Sequence, residues 1–222
     1  MDSWRWRVSF LCLVLLFLNS SLGTFECGKK IEKFEPTIFR PNETSPHKYP
    51  WMVAVFKHDL KKGKATEMCG GSLVHPKFVI TAAHCVAGGH TDNIFVIAGA
   101  HKVKQAMEQR DWKVLSNIYI HPYYDTKSNQ IEEIKKSQDI AILELEQNVQ
   151  FGPKINAICL PSENDVEMMT NFDDKEAIVA GWGTIGYHGS GAPVISMDKL
   201  MEASVLIRAN SWCQRRITFL KE

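Results

Sequence analysis

Apolar positions along the chain fall into two kinds of run. Near the start, Val8–Leu18 is almost wholly apolar (VSFLCLVLLFL), preceded by Arg5 and Arg7 and followed by the small residues of Asn19–Gly23. Past that point the apolar runs shorten to about four to eight residues, rich in β-branched side chains and bounded by Gly, Pro, Asn or Asp. Trp51–Phe56, Gly71–Val74, Phe78–Thr81, Ile94–Ala98, Leu115–Ile120, Ile140–Leu145, Ala177–Ala180 and Ala203–Ile207 are all predicted strands. No sustained 3.6-residue apolar period accompanies them, so the pattern points to an all-β barrel or sandwich. Two polar stretches separate strands. Lys57–Thr66 predicts a solvated hairpin tip, and Tyr123–Gln138, which mixes both charge signs, an inserted surface loop.

The first run has a different meaning. A charged start, an apolar core of about 7–15 residues and a small-residue exit describe a secretory signal peptide over residues 1–23. A spanning helix needs about 20 apolar residues, so the expectation is an exported protein without a membrane anchor. Removing the leader takes Cys12 with it and leaves Cys27, Cys69, Cys85, Cys159 and Cys213, disulfide candidates in an oxidising compartment. An odd number implies one cysteine without a partner in the chain. Composition adds two exclusions. At 45% hydrophobic and 23% charged, the chain is no disordered tail. With 26 Lys and Arg against 25 Asp and Glu, it has no global charge case for nucleic acid.

Two segments carry chemistry. Thr81-Ala82-Ala83-His84-Cys85 closes one predicted strand, and Asp139-Ile140-Ala141-Ile142-Leu143 opens another. Either alone is unremarkable, since His84 could be an ordinary turn histidine and Asp139 a strand cap. Together they offer more. A histidine takes and returns a proton near neutral pH, and a buried carboxylate on its far nitrogen would fix its tautomer. The eight histidines show no His-Glu-x-x-His pattern and the cysteines no paired Cys-x-x-Cys spacing, so no metal site and no cofactor is expected.

At these residues the chain resembles the chymotrypsin/trypsin family of serine endopeptidases. Thr81–Cys85 is similar to the family's histidine segment and Asp139–Leu143 to its aspartate segment. Further matches are Pro50-Trp51, Cys69-Gly70-Gly71-Ser72-Leu73, Gly99-Ala100-His101, His121-Pro122-Tyr123-Tyr124, Ile158-Cys159-Leu160-Pro161 and Gly181-Trp182-Gly183, in order from about Ile38 to Cys213. The resemblance implies a two-barrel chymotrypsin-like β fold, with the first barrel complete and the second partial. His84 would be the general base and Asp139 its orienting partner, in the proton-handling scheme known for that family. It also implies a Cys69–Cys85 disulfide, a Cys27–Cys159 tether from a pro-segment (residues 24–37) to a protease domain (residues 38–222), and an unpaired Cys213.

The resemblance breaks in two places. The family order is His, Asp, Ser, with the nucleophile in a Gly-Asp-Ser-Gly-Gly segment, and the sequence reaches Glu222 before any such segment. His188-Gly189-Ser190-Gly191-Ala192-Pro193 looks superficially similar. It follows Gly181-Trp182-Gly183 too closely, however, with no strands to carry Ser190 to His84. The partial barrel is expected to leave unpaired edges around Ala203–Ile207. The activation junction is the second break. Ile38-Phe39-Arg40-Pro41 stands where the family reads Ile-Val-Gly-Gly, and Thr37 replaces the basic residue before it. Asn42-Glu43-Thr44 in the same segment is a glycosylation sequon, or equally an unmodified surface loop.

Three functions are consistent with this sequence. The first is a secreted serine endopeptidase, acting on protein or peptide substrates and met by protein inhibitors, represented by a chain without the nucleophile. The second is a non-catalytic homologue that binds partners, and the third a naturally shortened decoy.

Overall fold

The structure is a computed structural model, and it describes residues 27–28, 42–59, 64–124, 138–162, 172–187, 193–196, 198–209 and 211–213. The expected leader, the junction residues Thr37–Pro41, Ser190 and most of the Tyr123–Gln138 loop lie outside the described residues.

Six strands close a barrel in the order β2-β3-β4-β7-β6-β5. They are β2 (Met52–Asp59), β3 (Lys64–His75), β4 (Phe78–Thr81), β5 (Ile94–Ala98), β6 (Lys113–Ile120) and β7 (Ala141–Leu145). All pairs are antiparallel, so each strand alternates between the barrel interior and its outside. In β7 the alternation is plain: Ala141, Leu143 and Leu145 are buried while Ile142 is exposed. Val53 and Val55 of β2, Leu73 of β3, Val79 of β4, and Ile94 and Val96 of β5 are buried almost completely. At about 1.5–3 kcal/mol for each fully buried side chain of this size, they make the barrel the stable unit that carries everything else.

The second sheet is smaller. Strand β11 (Met201–Leu206) pairs along its full length with β8 (Glu176–Gly181), and at Met201 and Glu202 with β1 (Asn42–Glu43). A separate hairpin joins β9 (Thr184–Tyr187) to β10 (Pro193–Ser196). The expectation of bare edges at Ala203–Ile207 holds on one side only: β8 covers one edge of β11 completely. Among the described residues, the other edge beyond Glu202 and the outer edge of β8 carry no strand. The Asn42 sequon residue is half-buried in β1 and pairs with Glu202.

Lys57–Thr66 also differs from expectation. Strands β2 and β3 run on to Asp59 and from Lys64, so most of that stretch is ladder rather than tip. Alternating charged residues mask a strand when only apolar runs are counted. Lys57 instead reaches back to the barrel end, where its Nζ donates to the Ala87 carbonyl at 3.1 Å.

The strap from β1 into β2 crosses from one sheet to the other. Lys48 is buried and donates to Glu202 Oε1 at 2.8 Å, and the Tyr49 hydroxyl donates to Glu202 Oε2. Within the strap, His47 takes φ +64°, a left-handed conformation that costs a side chain with a Cβ about 1–2 kcal/mol. Burial, with the charge on Lys154 assisting, holds the His47 imidazole below the ordinary histidine value of 6.5. The folded chain therefore takes up this proton less readily than the unfolded chain does. Stability is full above about pH 6.5 and falls as the pH drops toward the folded value. His47→Gly is expected to stabilise the protein by about 0.5–1 kcal/mol at neutral pH and to flatten the acid-side loss, measured by urea unfolding between pH 5 and pH 8.

Candidate active site

Register places the two candidate residues together. Thr81, the last residue of β4, pairs with Ala141, the first of β7, so the chain leaving β4 runs beside the chain entering β7. Three residues past Thr81 lies His84, and two residues before Ala141 lies Asp139. The strand leading to His84 ends at Thr81, as expected. From there the chain turns into a one-turn helix, α1 (Ala83–Val86). Ala83 and Val86 are fully buried against the barrel and Cys85 nearly so, which turns His84 outward. A disulfide from Cys85 to Cys69 on β3 pins the turn to the barrel wall. A helix this short has an exposed amide end, and α1 has no side-chain cap of its own at Ala82.

Asp139 fills that role from across the register. Its Oδ1 accepts the His84 backbone N–H at 2.8 Å, and its Oδ2 lies 2.6 Å from His84 Nδ1. The carboxylate thus grips both the backbone and the ring of one residue. Burial acts to raise the Asp139 carboxyl, but hydrogen bonds from the His84 ring and from the backbone amides of His84 and Ala83 outweigh it. They hold the group below the usual carboxylate range. The ring N–H is therefore drawn to Nδ1, which leaves the Nε2 lone pair free. Nearby, the Tyr124 hydroxyl is pushed above its ordinary value by burial and by the charge on Asp139.

The carboxylate is less secluded than the sequence reading assumed. Asp139 is 27% exposed and His84 62% exposed, so the dyad sits at an open edge. On the free side, Cys85 Sγ stands 3.4 Å from Nε2. Among the described residues no hydroxyl hydrogen-bonds to Nε2. The amides of Ala83 and His84 were not legible as carboxylate partners, because a one-turn helix leaves no periodicity to read. A groove of about 780 Å³ lies elsewhere, between β8 and the barrel face around Trp51, Gly71 and Ile80, and touches neither His84 nor Asp139.

Cysteine placement completes the site. Cys27 is bonded to Cys159, 132 residues away, which fastens the segment before the barrel to the segment after it. Cys213 is a half-buried free thiol. No helix among the described residues is long and apolar enough to cross a membrane.

Comparison with known proteins places this geometry. The family model described as Trypsin matches residues 38–221. A venom protease of Bombus pensylvanicus is 33% identical over 180 residues, covering 75% of this chain and 64% of that protein. The venom serine protease Bi-VSP of Bombus ignitus is 33% identical over 181 residues, covering 75% of this chain and 43% of its own length. Coagulation factor IX of Cavia porcellus is 29% identical over 153 residues, or 69% of this chain and 48% of that one. The chain thus spans less than two thirds of each relative. A solved structure described as "Structure of GrC" superposes with a TM-score of 0.62 at 30% identity, covering 79% of this chain and 68% of that one. With the family model matching residues 38–221 and a closed antiparallel barrel presenting His84 against Asp139, the chain belongs to the trypsin family.

Proposed function

We propose that this chain carries the proton-handling half of a secreted serine endopeptidase. His84 is the general base and Asp139 fixes its tautomer and orientation. The observation that carries this reading is the double grip of Asp139 on the His84 amide and ring, with Nε2 left free. In peptide hydrolysis by this scheme, Nε2 takes the proton of an attacking hydroxyl, and Asp139 stabilises the imidazolium that forms. The proton then passes to the leaving amine. The hydroxyl and the donors for the oxyanion would come from a Gly-Asp-Ser-Gly-Gly segment, which does not occur in these 222 residues. Its substrates are proteins or peptides, and protein inhibitors are its natural partners.

Export agrees with the N-terminal leader, with two disulfides, and with relatives named as venom proteases and a coagulation factor. Residues 24–37 form a pro-segment held by Cys27 to Cys159. A second reading, a binding homologue without catalysis, is favoured by Thr37, Phe39, Arg40 and Pro41. Pro41 fixes a backbone angle where the family uses flexible glycine.

Expression through a secretory pathway followed by fluorophosphonate labelling tests the proposal. The secreted product is expected to lack residues 1–23 and to form no adduct. An adduct on any hydroxyl, Ser190 included, would overturn the assignment.

A further inference from the structure

One motif of the chain serves neither the dyad nor the barrel: the sequon Asn42-Glu43-Thr44. We propose that Asn42 carries an N-linked glycan, attached before the chain folds, and that this glycan shields the open edge of β11. Glycan transfer rests on the export part of the functional reading and on nothing in the dyad.

The threonine carries the case. Thr44 is 3% exposed, and its Oγ1 is buried without a hydrogen-bond partner among the described residues. A buried hydroxyl left unpaired costs stability, and a valine of the same shape would fill the space without that cost. The folded chain thus makes no use of this oxygen. Its chemistry is needed earlier, because in an extended chain the hydroxyl two residues after an asparagine marks that asparagine for glycosylation. In the folded protein Thr44 is closed to a transferase, with its amide also tied to the Leu200 carbonyl at 3.0 Å. Before folding it is open. The partner of β1 lies in β11, more than 150 residues later. At 5–20 residues per second, synthesis leaves the sequon unpaired for about 8–30 s.

Asn42 has room for the sugar after folding. Successive strand residues point to opposite faces, and the Glu43 side chain turns to His101 Nε2 at 3.0 Å and Lys199 Nζ at 2.7 Å. Asn42 therefore faces the other way. Its side-chain amide makes no hydrogen bond among the described residues and is not one of the buried polar atoms left unpaired, so solvent reaches it. Register fixes where the glycan stands. Asn42 pairs with Glu202 and Glu43 with Met201, so β1 runs out where β11 continues to Leu206. The glycan is rooted at the start of that bare edge, beside Val205 and Leu206, each 37% exposed. Unpaired strand edges recruit other chains, and a bulky, solubilising group beside one blocks their approach. The chemistry balances. Asn42 Nδ2 bonds to the anomeric carbon of an oligosaccharide carried on a lipid diphosphate. The bond from that carbon to the diphosphate oxygen breaks, the diphosphate leaves with the electron pair, and the amide gives up one proton.

Expression of the full chain in a secretory host, followed by digestion with an endoglycosidase that releases N-glycans, tests this. The secreted wild type is expected to lose the mass of one glycan. Thr44→Ser should keep the glycan, while Thr44→Val and Asn42→Gln should lose it. Thr44→Val removes only the unpartnered hydroxyl, so it should form both disulfides and melt no lower than enzymatically deglycosylated wild type. By light scattering, both unglycosylated variants are expected to associate at protein concentrations at least tenfold lower than glycosylated wild type. Protein secreted while lipid-linked oligosaccharide synthesis is blocked should accept no glycan from a purified transferase until it is unfolded. A wild-type product exported without its leader and without sugar would overturn the inference and leave the export reading standing. Retention in the cell with the leader attached would overturn both. Acceptance of a glycan by the folded form, or equal association with and without the glycan, would also contradict the proposal.

Discussion

A polypeptide of these 222 residues is expected to show no His84-dependent turnover of peptide amides or esters. General-base catalysis contributes about 10²–10⁴-fold, and an oxyanion donor about 10²–10³-fold, only when both converge on one attacked carbonyl. Here Asp139 holds the His84 ring, and among the described residues no hydroxyl hydrogen-bonds to Nε2. The recorded neighbour of Nε2 is the sulfur of Cys85 rather than a hydroxyl. An imidazole 62% exposed and with no hydroxyl partner would be little better than imidazole in solution. Turnover of a peptide ester, compared between wild type and His84→Ala, is the measurement. Equal, background-level rates are expected, and activity lost in the variant would contradict the account.

The second large effect is on stability. Replacing both Cys69 and Cys85 with alanine should cost about 3 kcal/mol, because the bond closes a loop of 16 residues in the unfolded chain. For a domain of this size that corresponds to a melting temperature lower by about 6–12 °C. The loss should be visible in structure as well. Without the bond, α1 is held to the barrel by the buried Ala83 and Val86 and by the grip of Asp139 on the His84 amide and ring. A loss under 1 kcal/mol in reversible urea unfolding would show that packing alone holds the turn.

Strands of the first barrel were readable because its walls follow a simple rule. In β4 and β7, buried positions alternate with more accessible ones without a break, and β5 is a short apolar run between turns. Elements that escaped the rule did so for physical reasons. The helices α1 and α2 (Val103–Glu108) are too short to show a 3.6-residue period. β1 is two residues long and owes its existence to β11, a partner more than 150 residues away. β9 and β10 flank a glycine-rich stretch that reads as loop, and the start of β3 is polar enough to read as a hairpin tip. As for the site, residue types and their order suggested His84 and Asp139. Which atoms of Asp139 meet which atoms of His84 depends on the β4–β7 register and on a one-turn helix, and neither is written in local sequence.

Everything in the functional reading depends on Asp139 holding the His84 ring with its proton on Nδ1 and Nε2 free. Because hydrogen bonds depress the Asp139 carboxyl, the interaction should persist at neutral pH and be lost only as the pH falls through that lowered value. Nitrogen-15 NMR of labelled imidazole at pH 8 reads the tautomer directly. The account predicts a protonated Nδ1 and a bare Nε2 in wild type, with the preference lost in Asp139→Asn. A proton on Nε2 in the wild-type protein, or a tautomer ratio indifferent to Asp139→Asn, would contradict it.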